Sequence, residues 1–404
     1  MSRSCRVNCI IPPYLLKKLL ESEDSEVRQA ALDTMLTTAR LRGERAVRAS
    51  FAGAATTPGN SRRTVFDCEE GTSLRRAVSA RTEDGPVSAD ESANRAFEGL
   101  GLTRDFYKEV FQRDSIDGKG MRLNGFFHFD VKFNNAFWDG SQMVFGDGDG
   151  KEFSDLTGSL DVIGHELAHG VTEHTAGLEY HNQSGALNES MSDVFGSLVK
   201  QWSRKQSAEE ADWLIGPDVF TPGIDADALR SMKAPGHAFN NEIFGKDPQP
   251  DRMSKFIHLP DTEPGDFGGV HFNSGIPNKA FFLAAVGIGG FAWEAMGTIW
   301  YESLKASGKD TQFQEFADTT FQKAGALFGI GSPEQLAVLA AWQEVEIQIS
   351  GVPIGLGRGR SFVVDGNGGA GRQDGLAALT RQLSELTARM TGLAKDVAAL
   401  KGAK

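Results

Sequence analysis

Cysteine is nearly absent: the 404 residues hold only Cys5, Cys9 and Cys68, all near the N-terminus. An odd number this small builds no disulfide framework, so the chain must be held by packing. Cys5 and Cys9 have no neighbouring Cys or His pair that would complete a zinc site, and they read as free thiols. Long apolar runs are missing as well. Nothing approaches the roughly 20 apolar residues that span a bilayer, and no membrane partner is expected. Arg3 and Arg6 are not followed by an apolar run of signal-peptide length, so export would use a route the sequence does not display. Positive charge is also in short supply. A net charge of −12 excludes non-specific attraction to nucleic acid or anionic lipid without choosing a compartment.

What is present is the balance of a globular protein, with 40% hydrophobic and 24% charged residues. At this length two or three packed units are expected. Residues 1–63 read as a short helical segment and linker: Ile11-Pro12-Pro13 leads into Leu15, Leu16, Leu19 and Leu20, then Val27, Ala30, Ala31, Met35, Leu36 and Ala39. From Ser50 to Arg63 the text turns to Ala, Gly, Thr, Pro and Ser, a tether suited to cleavage. Residues 64–186 form a strand-rich lobe, with strands expected at Phe126–Phe129, Val131–Phe133 and Met143–Phe145, and a helix over 160–176. Residues 187–350 are mainly helical, notably over 187–203 and 278–347. Residues 351–375 are a Gly-rich tether, and 376–404 carry leucines and other apolar residues at alternating steps of three and four. That is the spacing of a coiled coil, and it predicts homo-oligomers through residues 376–400.

The chemistry concentrates in His165-Glu166-Leu167-Ala168-His169. Residues four apart share a helix face, so both imidazoles can reach one metal ion. Glu166 can then face the metal's open side without binding it. Zinc takes a third protein ligand and leaves a fourth place for water, whose proton a nearby carboxylate can accept. Read alone, two histidines on a helix could also be structural, the less favoured of the two readings. Asn188-Glu189-Ser190-Met191-Ser192-Asp193 changes that balance by presenting two more carboxylates at i, i+4. Glu189 is expected as the third ligand of one zinc, with Asp193 accepting the other ring N–H of a zinc-bound histidine.

These motifs, with Thr175-Ala176-Gly177-Leu178-Glu179-Tyr180, Ser184-Gly185-Ala186, Asn134-Asn135-Ala136-Phe137-Trp138-Asp139-Gly140 and Gly268-Gly269-Val270-His271-Phe272-Asn273-Ser274-Gly275, closely resemble the thermolysin family over roughly 70–348. The resemblance implies an α+β, two-lobed metallopeptidase fold. It has a β-rich N-terminal lobe, a central zinc-binding helix and a mainly helical C-terminal lobe. It implies a neutral zinc endopeptidase acting on peptides and proteins, with Glu166 and His271 catalytic and Tyr180 stabilising the transition state. Asp266 would orient His271. Asn135, Ala136 and Arg230 would hold the substrate backbone. Phe153, Leu156, Val162, Ile215, Val219 and Leu229 would line the pocket after the scissile bond, giving a preference for apolar residues there.

The chain departs from that family in places. Asp161 and Asp212 match calcium ligands, but Lys200, Leu214 and Pro217 stand where the family's double calcium site has acidic residues, so that site is expected to be absent. The short N-terminal segment resembles that of the protealysin subgroup, with Ile11-Pro12-Pro13-Tyr14-Leu15-Leu16 in place of its Pro-Pro-Leu motif. This implies a zymogen whose own pro-segment is the inhibitor. Secretion is what the family implies, with a cytoplasmic enzyme as the alternative. Gly146-Asp147-Gly148-Asp149-Gly150 fits a tight turn better than a calcium loop, and His174 and His181 read as surface residues.

Overall fold

The computed structural model describes residues 8–51 and 62–352. The heptad tail, nearly all of the Gly-rich tether and most of the 50–63 linker lie outside these.

The described chain opens with a two-residue strand, β1 (Asn8–Cys9), and two helices, α1 (Pro13–Leu19) and α2 (Ser25–Phe51). Pro13 sits in the first turn of α1, where a missing N–H costs nothing. Leu15, Leu16 and Leu19 of α1 and Val27, Ala30 and Ala31 of α2 are all buried. Of the other residues whose helical spacing stood out, Leu20 and Met35 are half-buried, and Leu36 and Ala39 are exposed.

Next come β2 (Arg63–Asp67), β3 (Val78–Thr82), α3 (Glu91–Phe111), β4 (Leu123–Phe127), β5 (Ala136–Trp138) and β6 (Met143–Phe145). Asp90 starts α3 by accepting the Ala93 N–H at 3.1 Å. The strands form one mixed sheet in the order β1-β5-β6-β4-β2-β3. β1 therefore adds itself to the open edge of β5, although it is distant in sequence. The strand expected at Val131–Phe133 is instead a turn. Asp130 and Lys132 take φ of 58° and 53°, left-handed values that end any ladder. Phe133 still packs its ring edge-on against Phe129 and Phe137.

Two long helices follow, α4 (Leu160–Glu173) and α5 (Asn182–Arg204). Their crossing is close because Gly164 and Gly196 meet there. A Cβ on Gly196 would lie 2.4 Å from the Asp161 carbonyl oxygen, and one on Gly164 3.0 Å from the Gly196 Cα. Both helices are longer than an isolated metal motif needs, and buried apolar side chains surround the crossing.

Between α5 and the remaining helices the chain forms only short pairs, β7 (Leu214–Ile215) with β8 (Arg230–Ser231) and β9 (Asn240–Asn241) with β10 (Gly245–Lys246). The helices α6 (Asp266–Asn273), α7 (Gly275–Ile288), α8 (Ala295–Ala306), α9 (Phe313–Phe328) and α10 (Pro333–Glu344) complete the second lobe. The helical signal expected over 278–347 resolves into separate helices, interrupted at Gly289, Gly290 and Gly329 with φ of 76°, 68° and 103°. The fold is α+β, a mixed sheet lobe against a helical lobe with α4 between them. Among the described residues no helix is long and apolar enough to cross a membrane.

Candidate active site

Helix α4 carries His165, Glu166 and His169, and α5 carries Glu189 and Asp193; all five are fully or almost fully buried. The Gly164–Gly196 contact lets the two helices approach closely enough for their side chains to converge. His165 Nδ1 lies 2.8 Å from Asp193 Oδ1, and His169 Nδ1 lies 2.7 Å from Asn188 Oδ1. The Asn188 amide is oriented by donating to the Leu178 carbonyl at 3.0 Å. Each imidazole therefore donates from Nδ1 and carries a lone pair on Nε2.

Those two lone pairs face each other, with Nε2 to Nε2 at 3.1 Å. Two acceptors this close repel unless a cation lies between them. Burial pushes His169 down to about 3, which keeps that ring neutral and its lone pair available. Glu189 brings Oε1 to 3.4 Å from His169 Nε2 and Oε2 to 3.5 Å from His165 Nε2. Its Oε2 is buried without a hydrogen-bond partner, as is Oε1 of Glu166. One ligand atom from each of His165, His169 and Glu189 lies within 4.8 Å of the others, the set among the described residues that could hold a metal ion. Two imidazoles and a carboxylate with an open side suit zinc.

Beside this cluster, α6 positions His271. Left-handed backbone at Asp266, Phe267, Gly268 and Gly269 turns the chain so that Asp266 reaches back. Its Oδ2 accepts the His271 N–H at 2.8 Å and its Oδ1 lies 2.6 Å from His271 Nδ1. Burial opposes charge on His271, but the Asp266 and Glu189 carboxylates outweigh it and raise its pKa. The Tyr180 hydroxyl lies 3.1 Å from His271 Nε2 and donates to Glu189 Oε1.

Comparison with known proteins agrees with this geometry. A family model described as "Thermolysin metallopeptidase, catalytic domain" matches residues 53–173, and "Thermolysin metallopeptidase, alpha-helical domain" matches residues 176–347. The chain belongs to the thermolysin family. An extracellular metalloprotease of Pectobacterium carotovorum subsp. carotovorum is 42% identical over 342 residues, 84% of this chain and 96% of that protein. A thermolysin of Alicyclobacillus acidocaldarius is 41% identical over 65% of this chain and 46% of its own length. The solved precursor of protealysin, a metalloproteinase from Serratia proteamaculans, superposes with a TM-score of 0.75 at 44% identity. That comparison covers 84% of this chain and 99% of the other. This thermolysin-family chain is a metalloendopeptidase, a hydrolase of peptide bonds made with an N-terminal pro-segment.

The pro-segment lies in the cleft of the family fold. β1 pairs antiparallel with β5, Asn8 opposite Trp138 and Cys9 opposite Phe137. The Ile10 N–H donates to the Ala136 carbonyl at 3.3 Å, and the Ile11 N–H to Asn135 Oδ1 at 3.0 Å. Arg230 donates from Nη1 to the Ile10 carbonyl at 3.2 Å while its Nε and Nη2 grip both oxygens of Asp193. Ile10 is fully buried and shares one apolar cluster with Phe153, Leu156, Val162, Ile215, Val219 and Leu229. The structure thus brings His165, Glu166, His169, Tyr180, Glu189, Asp193, Asp266 and His271 together, with Asn135, Ala136 and Arg230 contacting the pro-segment strand.

Some roles were not legible from the motifs. Asn188 was quoted only as Glu189's neighbour, yet its amide orients His169. Asn278 donates to Asp193 Oδ2 at 2.8 Å, and the Trp138 N–H donates to Glu166 Oε2 at 3.0 Å. None of these carries a local pattern, because each acts from a distant element. His174 and His181 are both partly buried rather than fully exposed. At the position of the family's calcium ligands, buried Lys200 Nζ lies 2.7 Å from Asp161 Oδ2, 3.0 Å from Asp212 Oδ1 and 2.7 Å from the Leu214 carbonyl.

Proposed function

We infer that this chain is a zymogen of a secreted, neutral zinc endopeptidase that cleaves before apolar residues. The observation that carries the reading is the pair of Nε2 lone pairs facing each other beside Glu189, within reach of the Glu166 carboxylate. Zinc held by His165, His169 and Glu189 would supply a polarised water and an electron-pair acceptor for the peptide carbonyl. Glu166 takes the proton of the attacking water and passes it to the departing amine nitrogen. Burial and the Glu189 carboxylate push its carboxyl well above the usual carboxylate range, which suits a group that must hold a proton. His271 and Tyr180 donate toward the oxygen on which charge develops. Asp266 keeps His271 cationic, and Asp193 and Asn188 set the tautomers of His165 and His169. Asn135, the Ala136 backbone and Arg230 hold the substrate chain as an added strand. The fully buried ring of Phe153, Leu156, Val162, Ile215, Val219 and Leu229 favours an apolar side chain after the scissile bond.

The first 63 residues would form the inhibitor and its tether. Lys17 Nζ donates to the Pro264 carbonyl at 2.8 Å, and Arg42 pairs with Glu263 at 2.6 Å. Arg45 pairs with Glu173 at 2.8 Å, and the Tyr14 ring lies 4.7 Å from Phe272. These contacts anchor the helices over the cleft that the strand fills. Lys200 stands in for calcium, so the double calcium site is absent in this reading. The extracellular description of the Pectobacterium relative supports secretion.

A chelation assay on an internally quenched peptide, run before and after removal of residues 1–60, tests the whole reading. Turnover should rise on removal and vanish with chelator. Activity that resists chelation would overturn the zinc assignment, and equal turnover of intact and trimmed forms would overturn the inhibitor.

A further inference from the structure

The pro-segment does more than cover the cleft, because its backbone lies there as a substrate's would. The Cys9 carbonyl oxygen is 3.2 Å from His271 Nε2, the donor assigned to the developing oxyanion. Its partner across the bond, the Ile10 N–H, points to Ala136 and also acts on the Glu166 carboxylate. The Ile10 carbonyl sits on Arg230, and Ile11 is held by Asn135. Ile10 itself is fully buried in the main apolar core, to which the residues expected after a scissile bond also belong. The Cys9 thiol packs with Cys68, Phe129, Phe133 and Phe137 and meets Arg42 Nη2 at 4.0 Å, and burial pushes it up to about 12. It is the main-chain carbonyl of Cys9 that meets His271.

We propose that the Cys9–Ile10 peptide bond is a self-processing site, cut within the same molecule before the tether is cleaved. This rests on the peptidase reading above. Water adds to the Cys9 carbonyl carbon and gives its proton to Glu166. The C–N bond breaks as the Ile10 nitrogen takes up that proton, and the remaining proton of the water passes from the new carboxylic acid to the same nitrogen, leaving a Cys9 carboxylate and an Ile10 ammonium. Residues 1–9 leave, while residues 10–51 stay bound. Arg230 and Asn135 still hold Ile10 and Ile11, and the anchors at Lys17, Arg42 and Arg45 are untouched. The nick therefore creates a new N-terminus without opening the cleft, and inhibition persists until the tether is cut. Both flanking residues are buried, at 1% and 0% exposure, so another molecule cannot reach the bond while the segment is seated.

The test follows the intact mass of the zinc-loaded full chain over time. Loss of residues 1–9 should be first-order and unchanged by tenfold dilution, with peptide turnover staying low. The Glu166→Gln full chain should keep residues 1–9 even when a trace of the wild-type chain is added. A wild-type chain that retains residues 1–9, while its trimmed form cleaves a quenched peptide with Leu after the scissile bond, overturns this proposal alone. So does a nick whose rate scales with concentration. If the trimmed form also fails on the quenched peptide, the peptidase reading itself falls. A readout free of turnover is amide exchange in the zinc-free Glu166→Gln full chain. The Ile10 and Ile11 amides should exchange at least roughly a hundredfold more slowly than an unstructured chain. Introducing Ile10→Asp into that chain should abolish the protection. Fast exchange before that substitution would remove the seating on which the proposal stands.

Discussion

At the scale of single residues, the site divides labour between neighbours that differ by one position. His165 and Glu166 are adjacent on α4, yet one turns its Nε2 toward the candidate metal site and the other brings a buried carboxylate beside it. Glu166→Gln keeps the shape and the Trp138 hydrogen bond but removes the proton acceptor. It should retain about one zinc per chain and lose about 10²–10⁴-fold in peptide turnover. Metal analysis alongside kinetics checks this, and brisk cleavage by the metal-loaded variant would sink the mechanism. Lys200 illustrates the opposite case, a charge serving structure. It is buried among Asp161, Asp212 and the Leu214 carbonyl, and although burial opposes its charge, Asp161 and Asp212 hold its pKa up. Lys200→Met leaves Asp161 buried and uncompensated, which should cost about 3–5 kcal/mol of stability. Denaturant unfolding of both forms reads that loss. In the wild-type chain, millimolar calcium should leave the melting temperature unchanged, and a rise of many degrees would show a site elsewhere.

At the scale of elements, the strand β4 is pinned to the start of α3 by His128. Its Nε2 lies 3.0 Å from Asp90, the residue that caps α3, and its Nδ1 lies 2.8 Å from Asp147. Burial opposes charge on this ring, but its hydrogen bonds to the two carboxylates win and raise it to about 9. A raised pKa stabilises the fold fully below the ordinary histidine value near 6.5, and that contribution fades as pH rises through about 9. The melting temperature should therefore fall between pH 7 and 10 more steeply in wild type than in His128→Asn. Asparagine suits the position because φ there is 50°. Parallel curves for the two proteins would show that His128 does not titrate in this window.

The same scale explains what the sequence could tell. The i, i+4 pairs of α4 and α5 announce themselves because helix periodicity is local, and they placed His165, His169, Glu189 and Asp193 correctly on two helices. The strand β1 did not, since two residues have no period; it exists because the edge of β5 accepts it. The Val131–Phe133 run has strand composition but sits on left-handed turns. Glycines 164 and 196 carry no motif of their own, yet they allow the crossing that brings His165, His169 and Glu189 together. Asn188, Asn278 and the Trp138 amide act through space, so only the assembled chain reveals them.

At the scale of the whole molecule, the chain couples an inhibited enzyme to a tail that lies outside the described residues. Leu376, Leu383, Met390 and Val397 fall at a, and Leu379, Leu386, Leu393 and Leu400 at d, of four heptads. As a helix these would run about 40 Å, long enough for a modest seam. Left in water, such a leucine stripe is unfavourable, so something must cover it. It could dock on the helical lobe, where Phe291, Leu327, Phe328 and Ile330 are exposed. The composition of residues 351–375 argues otherwise, since a docked helix needs little slack and a Gly-rich tether provides much. An assembly module gains from that freedom, because catalytic units of an oligomer then need not clash. The e and g positions, among them Thr380, Thr387, Ala394, Gln382, Arg389 and Asp396, carry few complementary charges and leave the number of partners open. The full chain should therefore scatter light as an oligomer at tens of micromolar, and a chain ending near Gly351 as a monomer. Identical masses for both would assign the stripe to the helical lobe, and a monomeric full chain would refute assembly through the tail.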